Sequence, residues 1–350
     1  MREIIKFLRN LPCKLLVKET RSLKSSAGWK FKYVEIEVTG RCNLRCSYCL
    51  RANPEYRKNF SNDIDFHGLM NLLPQLKDKT HELFLWGVGE PLLYENLDQV
   101  IKVAKKYVPR VCVTSNGILL TQPVADRLAK SELDQLNISL DGADSDSNEL
   151  RNIDIEKVLD NLAYFSRVSR TRIDFWTVVT RKNLKKLPEL ARLKERIPTL
   201  HKLHFQMFVD FLTSDNHDPR DAIGDLSIAP RELSDMKTDV IRVCKKYGLD
   251  TDVEELKLEG TPGAYCVLPF NTLNINHKGY VTPCCMMFDL SLDNVFEMGF
   301  HKAITGPRIT EFREEIQKGH YLPLCERACR YKCRNPKKEW VERTEYYRQL

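Results

Sequence analysis

Apolar and polar positions along the chain recur with two different periods. Short runs rich in β-branched and aromatic residues, at 34–38, 83–86, 111–114, 136–140, 173–179 and 203–208, read as strands. Between them, Leu97, Val100, Ile101 and Ala104 fall at i, i+3, i+4 and i+7, and so do Ile155, Val158, Leu159 and Leu162, the spacing of one helical face. Strands alternating with amphipathic helices predict βα units and a parallel sheet with helices outside it. Six units are too few to close an eight-stranded barrel, so the expectation is an α/β fold with a partial (β/α)6 TIM-like barrel over residues 33–225.

The pattern changes beyond that point. Residues 212–230 are polar and irregular and 231–247 read as a helix, which defines a connecting segment over 226–265. Apolar and polar residues then alternate on both sides of His277-Lys278-Gly279, predicting a β-hairpin with glycine at its turn. The hairpin belongs to a small cysteine-rich domain at 266–333, followed by a tail at 334–350. No internal repeat or low-complexity tract is evident, and no apolar run approaches the roughly 18 residues of a membrane span.

Composition adds two facts to this picture. The 350 residues are 42% hydrophobic and 29% charged, as in an ordinary globular protein. Lys and Arg number 55 against 48 Asp and Glu, a net charge of +7. That excess lies in a basic N-terminal arm, residues 1–32, which holds nine basic side chains and only Glu3 and Glu19 as acids. The rest of the chain is neutral, so charge gives no argument for a nucleic-acid partner. The second fact is the count of 12 cysteines. The N-terminus, with charges every few residues, lacks the pattern of a secretory signal, and a cytoplasmic location is expected. In a reducing compartment cysteines more often bind metal or act in catalysis than pair as disulfides.

Cys42, Cys46 and Cys49 form C-x3-C-x2-C directly after the first predicted strand. Three thiolates can hold three irons of a 4Fe–4S cluster and leave the fourth open to a chelating small molecule, whereas structural zinc normally takes four closed ligands. This spacing resembles that of the radical S-adenosylmethionine (SAM) superfamily, and further segments follow in the family's order. The resemblance implies that Tyr48 stands against the adenine. Gly87-Val88-Gly89-Glu90-Pro91-Leu92 resembles the family's "GGEP" segment, which implies that Gly89, Glu90 and Pro91 receive the methionine amino group. Thr114-Ser115-Asn116-Gly117 and Ile138-Ser139-Leu140-Asp141-Gly142 are similar to segments lining the SAM pocket. Ser115, Asn116, Ser139 and Asp141 are thereby implied in the site, the two serines as partners of the ribose or the methionine carboxylate. Arg151 stands where relatives place an arginine against that carboxylate. All these segments end predicted strands, and barrel active sites are built at that mouth.

Cys266, Cys284, Cys285, Cys325, Cys329 and Cys333 resemble the C-terminal extension called SPASM, or its shortened "twitch" form. The resemblance implies auxiliary iron–sulfur ligation, and the cysteines available fit one auxiliary 4Fe–4S cluster held by Cys266, Cys284, Cys325 and Cys329, with Cys285 and Cys333 as alternatives. Four thiolates would also suit a zinc ribbon. Cys13, Cys112 and Cys244 have no partner in sequence and read as small buried hydrophobes.

The resemblance implies an oxidoreductase-type enzyme that cleaves SAM to a 5′-deoxyadenosyl radical. The radical would abstract hydrogen from a small polar substrate, carbohydrate or aminocyclitol-like, in a net oxidation assisted by the auxiliary cluster. It would need a low-potential electron donor of the flavodoxin or ferredoxin type and no nucleic acid. One alternative is modification of a ribosomally made peptide; such relatives often carry an N-terminal recognition domain, whereas only about 32 residues precede the first strand here. A non-enzymatic iron–sulfur electron-transfer protein is the other, and it would have no use for a SAM pocket. In the arm, Ile4, Ile5, Leu8 and Leu11 share one helical face. Residues 1–11 would either pack on the barrel or make peripheral contact with an anionic membrane.

Overall fold

The computed structural model describes residues 24–25, 28–208, 228–256, 266, 268–287, 290–322 and 325. After a small antiparallel pair, β1 (Lys24–Ser25) and β2 (Gly28–Trp29), come β3 (Phe31–Ile36), β4 (Thr80–Leu85), β5 (Arg110–Ser115), β6 (Gln135–Ser139), β7 (Arg172–Val179) and β8 (Leu200–Met207). These last six are the strands expected from the sequence, and they pair in parallel in chain order. A short β9 (Asp250–Thr251) adds in parallel to β8.

The predicted hairpin is present as β10 (Thr272–Ile275) and β11 (Val281–Thr282), with Gly279 at φ 84 in its turn. It does not stand apart from the barrel. β10 pairs in parallel with β3, Asn274 opposite Glu35 and Ile275 opposite Ile36, so one nine-stranded sheet runs β11-β10-β3-β4-β5-β6-β7-β8-β9. The free edge of β3 carries a row of backbone donors and acceptors, and the hairpin satisfies them.

Helices cover one face of the sheet. They are α1 (Phe66–Leu72), α2 (Leu97–Ala104), α3 (Gln122–Ala129), α4 (Ile155–Val168) and α5 (Pro230–Tyr247), with a 3-10 helix at Leu187–Glu195 between β7 and β8. The buried residues of α2 include Leu97, Val100, Ile101 and Ala104, and those of α4 include Ile155, Val158, Leu159 and Leu162, the stripes read from the sequence. They meet Val34, Ile36, Leu83, Leu85, Val111, Val113, Leu136 and Ile138, all without solvent exposure. Each such side chain contributes roughly 1.5–3 kcal/mol by leaving water.

Alternate strand positions point to the opposite face, where Glu35 and Glu37 on β3 and just beyond it, Gln135 and Asn137 on β6, and Asp174 on β7 stand among Tyr33, Phe84, Cys112 and Trp176. A closed barrel fills its interior with branched aliphatic side chains. This sheet lines its inner wall with polar and aromatic side chains together.

A last helix, α6 (Pro307–Gln317), locks the C-terminal part to the start of the sheet. The buried Arg313 donates from Nε to Pro269 O and from Nη1 to Ile304 O, both at 2.7 Å, and its guanidinium lies 4.1 Å from the Trp29 ring centre. The arm at residues 1–11, Cys329 and Cys333 lie outside the described residues. No helix among the described residues is long and apolar enough to cross a membrane.

Candidate functional site

The C-x3-C-x2-C loop leaves β3 at the C-terminal end of the parallel strands and is anchored at both ends. Thr39 Oγ1 donates to Asp63 at 2.6 Å and accepts the Arg41 amide at 3.1 Å, while Arg41 itself grips Asp63 through Nε and Nη2 at 2.8 and 2.7 Å. Farther along, the buried Arg51 guanidinium donates to the carbonyls of Gly40 and Phe60. Between these anchors the Ser47 amide donates to Leu150 O at 2.9 Å and the Cys46 thiol to Arg151 O at 3.8 Å.

The three thiols are half-buried. Burial pushes Cys42 up to about 12 and Cys46 up to about 11, and it raises Cys49 as well. At Cys42 the neighbouring Glu90, Cys46 and Cys49 push the same way. Without a cation the trio stays protonated, whereas a bound metal centre deprotonates its thiol ligands. Among the described residues no three His, Cys, Asp or Glu side chains close on a single metal ion. A 4Fe–4S cluster instead spreads its thiolates one to each iron, and the donor set fits that use.

Glu90 joins the turn at 87–92 to the end of β5. Its Oε1 accepts Ser115 Oγ at 2.7 Å and the Leu92 amide at 3.0 Å, and its Oε2 accepts the Asn116 amide at 2.8 Å. Burial raises its pKa, with these bonds pulling back. Ser115, expected to face a ligand, has its hydroxyl bonded to Glu90 and to the Gly117 amide at 3.0 Å. Asn116 Nδ2 reaches Asn43 Oδ1 at 2.8 Å, tying this turn to the cysteine loop one residue from Cys42. Glycine is required at position 89, where a Cβ would come within 1.9 Å of Thr39 O. Pro91 opens a one-turn 3-10 helix, Pro91–Leu93.

Asp141 is the most heavily bonded side chain of the group. Its carboxylate accepts Arg151 Nε at 2.7 Å, Arg151 Nη2 at 2.9 Å, Tyr48 Oη at 2.6 Å and the Val178 amide at 3.0 Å. These fill the roughly four acceptor positions of a carboxylate. The paired edge of Arg151, expected to grip SAM, is therefore turned onto Asp141, and Tyr48 is held between them with the guanidinium 5.4 Å from its ring centre. Burial and the Asp141 bond hold the Tyr48 phenol protonated. Asn152, after Arg151, takes φ 52 and ψ 56, a left-handed conformation that Asn tolerates at a helix end. Ser139, half-buried at the end of β6, makes no side-chain hydrogen bond among the described residues and presents a free hydroxyl.

Two carboxylates of β3 and its extension escaped the sequence reading. Glu37, almost fully buried, bonds His277 Nδ1 at 2.6 Å through Oε2 and the Val88 amide at 2.8 Å through Oε1. Glu35 lies two residues earlier on the same face, and burial pushes it up to about 8, against a hydrogen bond from Trp86. The signal was a polar period of two inside an apolar run, Val34-Glu35-Ile36-Glu37-Val38.

In the second cysteine group, Cys266 and Cys325 are buried, and Cys284 and Cys285 half-buried. Burial first, then Cys285, Cys325 and Cys266, raise the Cys284 thiol, so those three lie within electrostatic reach of Cys284. Cys112 and Cys244 are buried apart from both groups and pushed up to about 12 by burial.

Comparison with known proteins finds two family profiles along the chain. The radical SAM superfamily profile covers residues 36–193, and that of SPASM, an iron-sulfur cluster-binding domain, covers 266–333. The chain is 30% identical over 175 residues to the tungsten-containing aldehyde ferredoxin oxidoreductase cofactor-modifying protein of Pyrococcus furiosus, across 46% of this chain and 47% of that one. It is 24% identical over 307 residues to GTP 3',8-cyclase of Aliarcobacter butzleri, across 83% of this chain and 89% of that one. The match spans about half or less of the length of the first curated relatives. In fold the chain is similar to SuiB of Streptococcus suis, solved bound to precursor peptide SuiA, with a TM-score of 0.64 at 17% identity over 90% of this chain and 74% of that one. The chain belongs to the radical SAM superfamily and carries a C-terminal SPASM iron–sulfur domain.

Proposed function

We propose that the protein abstracts hydrogen from a small polar substrate, of the carbohydrate or aminocyclitol type, in a net oxidation. The observation that supports this class is the set of polar side chains on the inner wall of the sheet, Glu35, Gln135, Asn137 and Asp174, which stand among Tyr33, Phe84 and Trp176 where a closed barrel has aliphatic filling. Polar side chains fixed on a rigid sheet supply hydrogen bonds that orient a hydroxylated molecule.

In this reading Cys42, Cys46 and Cys49 hold the 4Fe–4S cluster, and the rim formed by Tyr48, Gly89, Glu90, Pro91, Asn116 and Ser139 receives SAM. When bound, the cluster and SAM together supply a 5′-deoxyadenosyl radical. Asp141, Arg151 and Ser115 act within the protein. Asp141 holds Tyr48 and Arg151 in place, and Ser115 orients Glu90. The half-buried mouth keeps bulk water from the reacting carbon. Cys266, Cys284 and Cys325, with Cys329 as fourth ligand, would hold the auxiliary cluster, which when bound would supply an acceptor for the electron left on the substrate after hydrogen abstraction. A flavodoxin or ferredoxin type donor in the cytoplasm would supply the separate electron that reductive cleavage of SAM consumes.

Amino sugars and aminocyclitols deuterated at single ring carbons test the substrate class. The reconstituted, reduced enzyme is expected to move deuterium from one of them into 5′-deoxyadenosine and to release a two-electron-oxidised product. Transfer only from a peptide would overturn the assignment of substrate while leaving the radical chemistry in place.

A further inference from the structure

His277 lies in the turn of the β10–β11 hairpin, seven residues before Cys284, yet its ring is sealed inside the barrel end of the molecule. Its side chain has no solvent exposure, and that of its partner Glu37 has 2%. The pair joins residues 240 apart in sequence. A carboxylate removed from water is costly unless its oxygens are bonded. Here Oε2 meets His277 Nδ1 at 2.6 Å and the His277 amide at 3.4 Å, and Oε1 accepts the Val88 amide at 2.8 Å.

The contact with Val88 gives this pair its consequence. Val88 lies inside the turn at 87–92, and the Glu37 side chain lies flat beneath that turn, since a Cβ on Gly87 would come within 2.4 Å of Glu37 Cγ. On the other side of Val88, Gly89 is pressed on Thr39 O, and Glu90 carries the connection to Ser115 and Asn116. The ring of His277 also packs at the root of the cysteine loop. A Cβ on Gly40 would meet Cε1 at 2.7 Å, and the Phe60 ring stands edge-on to the imidazole at 5.8 Å.

We propose that His277 is a positioning residue for SAM binding: through Glu37 it holds the Val88 amide, so the hairpin that leads to Cys284 sets the shape of the turn at 87–92. The inference rests on the reading of that turn as the seat of the SAM methionine. An aliphatic side chain at position 277 leaves Glu37 Oε2 with one long backbone bond. A buried carboxylate that has lost its short bond turns toward other donors, and that change loosens its hold on Val88.

Two variants separate this role from simple packing. His277→Leu fills the space without a donor, whereas His277→Asn places an amide nitrogen near the position of Nδ1. SAM affinity is read by equilibrium dialysis on the reconstituted oxidised protein, and hydrogen exchange of the peptide at 87–92 is read without SAM. The leucine variant is expected to bind SAM about tenfold more weakly and to exchange faster at 87–92 with unchanged iron content, while the asparagine variant stays within about twofold of wild type. Wild-type affinity and exchange in the leucine variant would overturn the proposal, as would an asparagine variant impaired as badly as leucine. If the leucine variant does not retain iron, His277→Gln, whose amide lies one methylene too far out, takes its place with the same two outcomes. Wild-type protein that binds no SAM would overturn the seat assigned to the turn, and the exchange measurement would still show whether His277 holds it.

Discussion

At the scale of single residues, the chemistry of the site depends on side chains that bond one another before they meet any ligand. Asp141 accepts four hydrogen bonds, from Arg151, Tyr48 and the Val178 amide, and has no acceptor position left. Breaking a buried charge pair by removing one partner costs roughly 3–5 kcal/mol. Asp141→Asn is therefore expected to lower the unfolding free energy by about 3 kcal/mol, and Tyr48→Phe, which loses one hydroxyl bond, by about 1 kcal/mol. Urea titrations of the metal-free protein check this; an Asp141→Asn midpoint equal to that of wild type would show that the network carries no load. The sequence singled out Tyr48, Asp141 and Arg151 one at a time as ligand side chains. That Tyr48 and Asp141 meet across 93 residues has no local signature, because spacing reveals periodicity and not partners.

The elements themselves were more legible. Six parallel strands and the buried stripes of α2 and α4 follow from periods of two and about 3.6, which local sequence carries directly. The two-residue β9 is too short to show a period. The joining of β10 to β3 was invisible for another reason: register between strands more than two hundred residues apart is set by an open edge and by packing. Arg313 shows how α6 holds this arrangement, with two carbonyl bonds and the face of Trp29. Arg313→Leu is expected to cost about 2–3 kcal/mol, since charged hydrogen bonds contribute roughly 1.5–3 kcal/mol each and leucine recovers part by burial. Arg313→Lys, which keeps the charge without the planar fork, should recover less than half of that loss. Thermal melts of the two variants decide, and a leucine variant as stable as wild type would mean that α6 docks without this residue.

At the scale of the whole molecule, a neutral body of parallel βα units carries three half-buried thiols at its mouth and a second thiol group beyond a hairpin that belongs to the same sheet. The charge of +7 resides in residues 1–32 and makes no case for a polyanionic partner. Such a body holds a cofactor, aligns a substrate carbon and excludes water, while the cofactor carries the difficult chemistry. The most direct test is anaerobic incubation of the reconstituted, reduced protein with SAM, beside a variant in which Cys42, Cys46 and Cys49 are all alanine. The wild type is expected to yield 5′-deoxyadenosine and methionine in equal amounts, and the triple variant neither. A wild-type protein that holds its iron and binds SAM yet releases no 5′-deoxyadenosine, with or without polyhydroxylated substrates, would contradict the account.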